Sequence, residues 1–253
     1  MYQKYTGTAA AHFYVIGEAL KIVENKVRRD FGELMNLQNS RNCLAFASAT
    51  VGYLNDKFYD FFTEKRSGYS LVLEGYNKNW EGGDGTFYVD ALCGFDNFLH
   101  AISYFATVVV LRKGSEIIGG LLNNYSAGET FYASRGGGAF LNGKRIRTPQ
   151  RTMGEGALIA MGCDSKGKIP ESLLAEFSNP RVSGCYPLDI CYTACGRYDA
   201  TVVFAAAGEK LEFGKLFMVE AGGLYGDRNG DRNGGENGVV FASSALVDSI
   251  KGV

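Results

Sequence analysis

The chain has 253 residues, of which 46% are hydrophobic, and it carries a net charge of −1 at pH 7. This length suits one large α/β domain or two halves that share a core. The near-zero net charge excludes a globally basic binder of nucleic acid or of an anionic membrane, but not local charged patches. No apolar run is long enough to cross a bilayer and no signal-peptide pattern opens the chain, so we expect a cytoplasmic protein without membrane contact.

Two N-terminal segments repeat their apolar residues at helical spacing. The stripe over residues 13–27 predicts an amphipathic helix that ends near Arg29. A second stripe over residues 44–61 predicts a helix that ends near Lys65. The chain is therefore predicted to begin with two helices.

Short apolar runs separated by turn residues follow the helices. They predict strands over residues 69–73, 87–92, 104–112, 116–122 and 129–134. Asn142-Gly143 predicts a further hairpin turn, because both residues tolerate the left-handed backbone that such turns need.

Strands and helices alternate in the rest of the chain. The predicted strands are 157–161, 200–204 and 239–242, and the predicted helices are 171–177, one that ends over 190–196, and 211–220. We therefore predict an N-terminal α+β half over about residues 1–148 and a C-terminal α/β half over 149–253. The segment 226–238 lacks the central Gly and the final Glu of a calcium loop and is predicted to be a polar loop.

The chain offers few residues that are suited to nucleophilic catalysis. The six cysteines include no Cys-x-x-Cys pair, and we expect them to be buried reduced thiols. His12 and His100 are the two histidines, which leaves few options for a Ser-His or Cys-His pair.

One segment carries most of the functional information. Residues 90–100 read Asp-Ala-Leu-Cys-Gly-Phe-Asp-Asn-Phe-Leu-His. The segment resembles the metal-binding signature of the inositol monophosphatase family, D-P-[IL]-D-G-T-x-N-F-x-H, in its first Asp, its Gly and its Asn-Phe-x-His end. Cys93 stands where the family has its second Asp, and Phe95 stands where the family has Thr.

Further segments resemble other motifs of this family, in the family's order. They are 129–143 (E-x-F-x-A and G-x-G-A-x-x-N-G), 181–185 (R-x-x-G-[ST]), 194–200 (A-x-G-x-x-D-A) and 220–223, which is identical to E-A-G-G. The resemblance implies an α/β (α+β) fold, the inositol-monophosphatase-like layered αβαβα sandwich, as a single unit that is usually a homodimer. The bacterial SuhB-like branch is the most similar, and its association with RNA polymerase implies a regulatory protein partner.

The resemblance also implies a magnesium site for the hydrolysis of phosphomonoesters. Asp90 matches the first signature Asp, and the carbonyl of Leu92 matches the carbonyl ligand. Glu74 matches the acid that ends an upstream strand, although a solvated carboxylate is an alternative interpretation of this residue.

Two expected carboxylates are replaced. Counting back from E-A-G-G puts Lys210 at the Asp of the family's W-D-x-A-x-G motif, and Cys93 replaces the second signature Asp. A thiol is a soft ligand that suits Mg²⁺ poorly, and an ammonium repels cations, so we expect Mg²⁺ binding to be weak or absent. Lys210 is expected to take the place of a metal and to pair with Asp90. A zinc site of Asp90, Cys93 and His100 is a less favoured alternative, because His100 matches a family residue that binds no metal.

A site without metal can still bind an anion. By resemblance, the phosphate-binding positions are Gly94, Phe95, Gly184, Cys185 and Lys210, and we expect a small phosphate ester or another anion as the ligand. Phe95 has no hydroxyl to hold a nucleophilic water.

The sequence therefore predicts a catalytically impaired or inactive pseudo-phosphatase that acts through binding. The alternative is a genuine Mg²⁺-dependent phosphomonoesterase that uses Asp90, Glu74 and a compensating acid, either Glu209 or Glu212. The basic clusters 26–29 and 144–151 are candidate contacts for a partner, or solvated polar faces.

Overall fold

The structure is a computed structural model that describes residues 10–38, 42–65, 68–150, 156–163, 169, 171, 179–226 and 238–246. Its helices are α1 (Ala10–Leu37), α2 (Cys43–Lys65), α3 (Phe95–Leu99), α4 (Tyr186–Ala194) and α5 (Glu209–Glu220). None of these described helices is long and apolar enough to cross a membrane.

The strands form two mixed sheets. The first has seven strands in chain order: β1 (Ser70–Leu73), β2 (Thr86–Cys93), β3 (Ala106–Lys113), β4 (Glu116–Asn124), β5 (Glu129–Ser134), β6 (Gly138–Leu141) and β7 (Lys144–Arg145). The second has the order β11-β12-β10-β8-β9, with β8 (Ile159–Cys163), β9 (Pro180–Val182), β10 (Ala200–Phe204), β11 (Leu224–Gly226) and β12 (Val239–Ala242). The mixed α/β fold class is confirmed. The chain divides into two compact units, Met1–Tyr132 and Ala133–Val253.

In the first unit, α1 buries one stripe of side chains over its whole length. The stripe alternates steps of three and four residues and consists of Phe13, Ile16, Leu20, Val23, Val27, Asp30 and Leu34. The prediction that this helix ends near Arg29 is wrong. The buried stripe continues through Asp30, an acid that a pattern of apolar residues does not include. Asp30 accepts a hydrogen bond from Thr50 Oγ1 of α2 at 2.7 Å and forms an ion pair with Lys26.

Helix α2 has the predicted bounds, but its predicted stripe is only partly buried. Ala47, Leu54 and Phe58 are fully buried, whereas Leu44 is 59% exposed. Strands β1 and β2 run parallel, and β2, β3 and β4 pair antiparallel in chain order.

In the second unit, the five-stranded sheet is apolar throughout its centre. Every residue of β10 and β12 is buried, as expected for strands covered on both faces. Asn142 and Gly143 have φ values of 49° and 78°, and the predicted hairpin turn is confirmed. The short strands β9 and β11 were not predicted. The predicted helix 171–177 and the polar loop 226–238 lie largely outside the described residues.

Candidate functional site

Glu74 and Asp90 lie at neighbouring positions on two parallel strands of the first unit. Leu73 of β1 is opposite Val89 of β2, so the two acids follow at the next register position on each strand. The N–H of Glu74 donates to the carbonyl of Val89 at 2.8 Å, which continues the pairing past the end of β1. Glu74 is exposed and Asp90 is half-buried. The structure thus brings together the two predicted acids of this unit.

A β-bulge follows Asp90. Asp90 is opposite Val108 and Cys93 is opposite Ala106, so β2 contains one extra residue between them. Oδ1 of Asp90 accepts a hydrogen bond from the N–H of Leu92 at 3.1 Å. This bond holds the carboxylate against the backbone that carries the predicted carbonyl ligand.

Cys93 is a buried residue, with 7% of its surface exposed. A free cysteine at such a position packs as a small apolar side chain. The residue that replaces the second signature Asp is therefore part of the packing at the end of β2.

Gly94 turns the chain from β2 into the short helix α3. Its φ of 81° and ψ of 39° are left-handed, which favours glycine, and no side chain caps the helix. Phe95 is half-buried and Asp96 is exposed in the first turn. The Gly retained from the signature therefore has a backbone role that is independent of any metal.

In the second unit, Gly184 and Cys185 precede α4. Cys185 is the N-cap residue, yet its own side chain makes no capping bond. Instead, Ser183 Oγ accepts from the N–H of Cys185 at 3.2 Å and donates to Oδ2 of the buried Asp189 at 2.6 Å. We did not predict the Ser183–Asp189 pair, although a hydroxyl before a helix with an acid in its first turn is a capping signal.

Lys210 is the second residue of α5 and is half-buried. Glu209 and Glu212 lie in the same first turn, where the helix dipole favours acids and disfavours a lysine. Glu212 Oε1 accepts from Lys215 Nζ at 2.8 Å, so this carboxylate is already paired within the helix. Glu209, the other predicted compensating acid, lies three residues earlier in the same turn.

Mg²⁺ prefers a set of hard oxygen ligands, usually with more than one carboxylate. Among the residues that the structure describes, no three His, Cys, Asp or Glu side chains group in a way that could hold a metal ion. The alternative zinc site of Asp90, Cys93 and His100 is likewise not formed among them. Glu74, Asp90 and Leu92 fall short of a full magnesium donor set, and their role as ligands stays a prediction.

The other predicted roles also stay predictions. They concern phosphate binding by Gly94, Phe95, Gly184, Cys185 and Lys210. The pairing of Lys210 with Asp90 also stays a prediction. The described contacts show how neighbouring backbone and side-chain groups hold each of these residues in place, and these contacts differ from residue to residue.

Comparisons with known proteins agree with the motifs. A profile described as the inositol monophosphatase family matches residues 46–250. An inositol-1-monophosphatase of Mesorhizobium japonicum is 30% identical over 243 residues, which cover 92% of this chain and 91% of that protein. The Nus factor SuhB of Pseudomonas aeruginosa is 34% identical over 157 residues, 58% of each protein.

Solved structures show the same fold. The extragenic suppressor protein suhB from Bartonella henselae matches with a TM-score of 0.78 and 26% identity, over 95% of this chain and 98% of that chain. SuhB of Mycobacterium tuberculosis matches with a TM-score of 0.72 over 90% of this chain. Because the family profile and the Mesorhizobium relative both run through most of its length, this chain belongs to the inositol monophosphatase family and is SuhB-like.

Proposed function

We propose that this protein is a catalytically impaired or inactive member of its family that acts through binding. The observation that carries the proposal is the pair of replaced acids: Lys210 in the first turn of α5 and the buried Cys93 at the end of β2. Both stand at positions where the resemblance implies a metal-binding carboxylate.

The charge change opposes metal binding. Replacing one carboxylate by an ammonium and another by a neutral thiol raises the charge of the site that the resemblance implies by about three units. Unit charges about 4 Å apart interact by roughly 4 kcal/mol at an effective dielectric constant of 20. Phe95 adds no hydroxyl for a nucleophilic water. Each change weakens a different part of phosphomonoester hydrolysis.

The names of the relatives support a binding role. The Pseudomonas protein is named a Nus factor, and a second Nus factor SuhB, from Xylella fastidiosa, is 32% identical over 146 residues. We therefore propose a regulatory protein partner, with a small phosphate ester or another anion bound by Lys210 and the turns at Gly94 and Gly184. On the resemblance we also propose a cytoplasmic homodimer.

A metal titration of the wild type and of Cys93→Asp/Phe95→Thr/Lys210→Asp tests the proposal. The Tm of the wild type should not change with millimolar Mg²⁺, and no phosphate should be released from an inositol phosphate. The triple variant should gain stability with Mg²⁺, since a ligand at one hundred times its Kd stabilises a protein by about 2.7 kcal/mol.

Lys144→Asp is the matched charge control, because Lys144 is an exposed lysine of strand β7. Its Tm should respond to Mg²⁺ as the wild type does. Mg²⁺-dependent phosphate release by the wild type would contradict the proposal.

The second candidate function is the Mg²⁺-dependent phosphomonoesterase of the inositol-phosphate type. Glu209 and Glu212 beside Lys210 favour it, because a carboxylate remains in the first turn of α5. In that case Glu74, Asp90 and Glu209 would be the essential acids. Activity of the wild type that Glu209→Gln abolishes and Glu212→Gln preserves would support this function over the first.

A further inference from the structure

The second unit contains a small cavity beside the carboxyl end of α5. Its volume is about 260 Å³, and it is lined by Arg145, Arg147, Val219, Glu220, Ala221 and Gly222. None of these residues is among the predicted metal-binding or phosphate-binding positions.

The cavity has a cationic wall. Both lining arginines are exposed, and neither forms an ion pair with any carboxylate in the described part of the chain. They belong to a stretch, residues 130–154, that contains five Lys and Arg and no Asp or Glu, although the whole chain has a net charge of −1. The positive charge of this wall is therefore not neutralised locally by its own segment.

The acid in the cavity wall is already engaged. One oxygen of Glu220 accepts from the N–H of Gly136 at 2.6 Å, and the other accepts from the N–H of Gly138 at 2.7 Å. Two backbone donors thus stabilise the carboxylate without an arginine. Glu220 is therefore held by the backbone, and among the described residues it forms no ion pair with Arg145 or Arg147, so the wall keeps two guanidinium charges against one carboxylate.

The carbonyls at the end of α5 are also satisfied. The N–H of Gly222 donates to Val219, the N–H of Gly223 donates to Met218, and the N–H of Thr148 donates to Ala221. These bonds reduce the negative potential that a helix C-terminus would bring to the cavity. Val219, which is 50% exposed, adds an apolar patch to the rim.

We infer that this cavity binds a small phosphate-bearing anion through Arg145 and Arg147. Guanidinium groups bind phosphate oxygens in pairs, and two of them line one wall of a cavity that accommodates a phosphate group with a short substituent. The site is separate from the residues on which the proposed function rests, so either can fail without the other.

Calorimetric titration with inorganic phosphate at constant ionic strength tests the inference. The wild type should show a saturable binding component that weakens at least tenfold in Arg145→Gln/Arg147→Gln, whether or not a second component from the Lys210 site is present. Lys144→Gln is the matched control, because Lys144 is an exposed cation of the same strand that does not line the cavity. Its affinity should stay within twofold of the wild type.

Lys210→Met separates this site from the anion site of the proposed function. Binding to the cavity should survive in Lys210→Met. The inference is overturned if the wild type binds no phosphate saturably, if Lys144→Gln weakens binding as much as the double variant does, or if Lys210→Met alone abolishes binding. A melting curve of the double variant shows whether it still folds. A phosphate titration of the single variant Arg147→Gln tests the site with one substitution alone.

Discussion

Tyr125 and Thr107 form a buried hydrogen-bond chain behind the bulge that carries Asp90. Thr107 Oγ1 donates to the carbonyl of Ala91 at 2.7 Å and lies 2.8 Å from the Tyr125 hydroxyl. Because Thr107 has one hydroxyl proton, Tyr125 is the donor in the second bond. Burial raises the pKa of the Tyr125 phenol above its ordinary value of 10.0.

This raised pKa predicts a loss of stability in alkali. The neutral phenol contributes stability below pH 10, where folded and unfolded chains both keep the proton. Above that pH the unfolded chain loses its proton first, so the free energy of unfolding should fall by about 1.4 kcal/mol per pH unit relative to Tyr125→Phe. Urea unfolding of both proteins up to pH about 11 measures the difference. Parallel curves for the wild type and Tyr125→Phe would show that Tyr125 ionises as easily in the folded chain as in the unfolded one.

Single residues also mark the limit of what the sequence predicts about the site. Strand ends and the family motif single out Glu74 and Asp90, and the two acids lie at neighbouring register positions, whereas their role as metal ligands stays a prediction. The bulge after Asp90 depends on the pairing of β2 with β3, which no local pattern reports, whereas the Ser183–Asp189 pair has a local signal in a hydroxyl before a helix with an acid in its first turn. Cys93 is buried, as expected of all six thiols, but that expectation is wrong for Cys43, Cys163 and Cys195, which are only partly buried.

At the scale of elements, Glu220 explains the first residue of E-A-G-G. It ends α5 and accepts hydrogen bonds from Gly136 and Gly138, which are more than 80 residues earlier in the chain. Gly138 has a φ of 93°, and a Cβ there would lie 2.9 Å from the guanidinium carbon of Arg145. The glycine turn and the helix end therefore depend on each other, which indicates a structural role for this motif.

Glu220→Gln should lower the free energy of unfolding by about 1–3 kcal/mol. The neutral amide keeps one acceptor oxygen and loses the second, so the N–H of either Gly136 or Gly138, the latter in a partly buried contact, loses its charge-assisted partner. Chemical unfolding measures the change. Glu212→Gln is the control: the Glu212 side chain is 42% exposed, and its i,i+3 pair with Lys215 should contribute about 0.5 kcal/mol. Equal effects of both variants would contradict the structural role of Glu220.

Helix α1 shows why element boundaries were predicted less well than element types. Its buried stripe continues through Asp30 to Leu34, but an acid in an apolar stripe reads as the end of a helix. Lys26 compensates the burial of Asp30 from within α1, whereas the hydrogen bond from Thr50 forms only after α1 and α2 have packed together. The short strands β9 and β11 were missed for a similar reason, since three residues carry too little periodicity to be recognised.

At the scale of the whole molecule, the reactivity of the cysteine thiols can be measured at six separate positions of the folded chain. All six are free thiols. Cys93, Cys185 and Cys191 are buried, whereas Cys43, Cys163 and Cys195 are only partly buried. The buried set includes the residue that replaces a signature Asp and the residue that precedes α4, so thiol protection monitors both predicted site segments.

A thiol titration with a disulfide reagent should therefore find two classes of cysteine. In denaturant without reductant, all six should react, because none is in a disulfide. In the native protein, the three buried thiols should react only through local opening, about tenfold more slowly for each 1.4 kcal/mol of opening free energy. Cys93→Asp should remove one slowly reacting thiol and leave the fast class unchanged. Fewer than six reactive thiols in denaturant would contradict the reduced state of the cysteines, and rapid labelling of Cys93 in the native protein would contradict its burial at the end of β2.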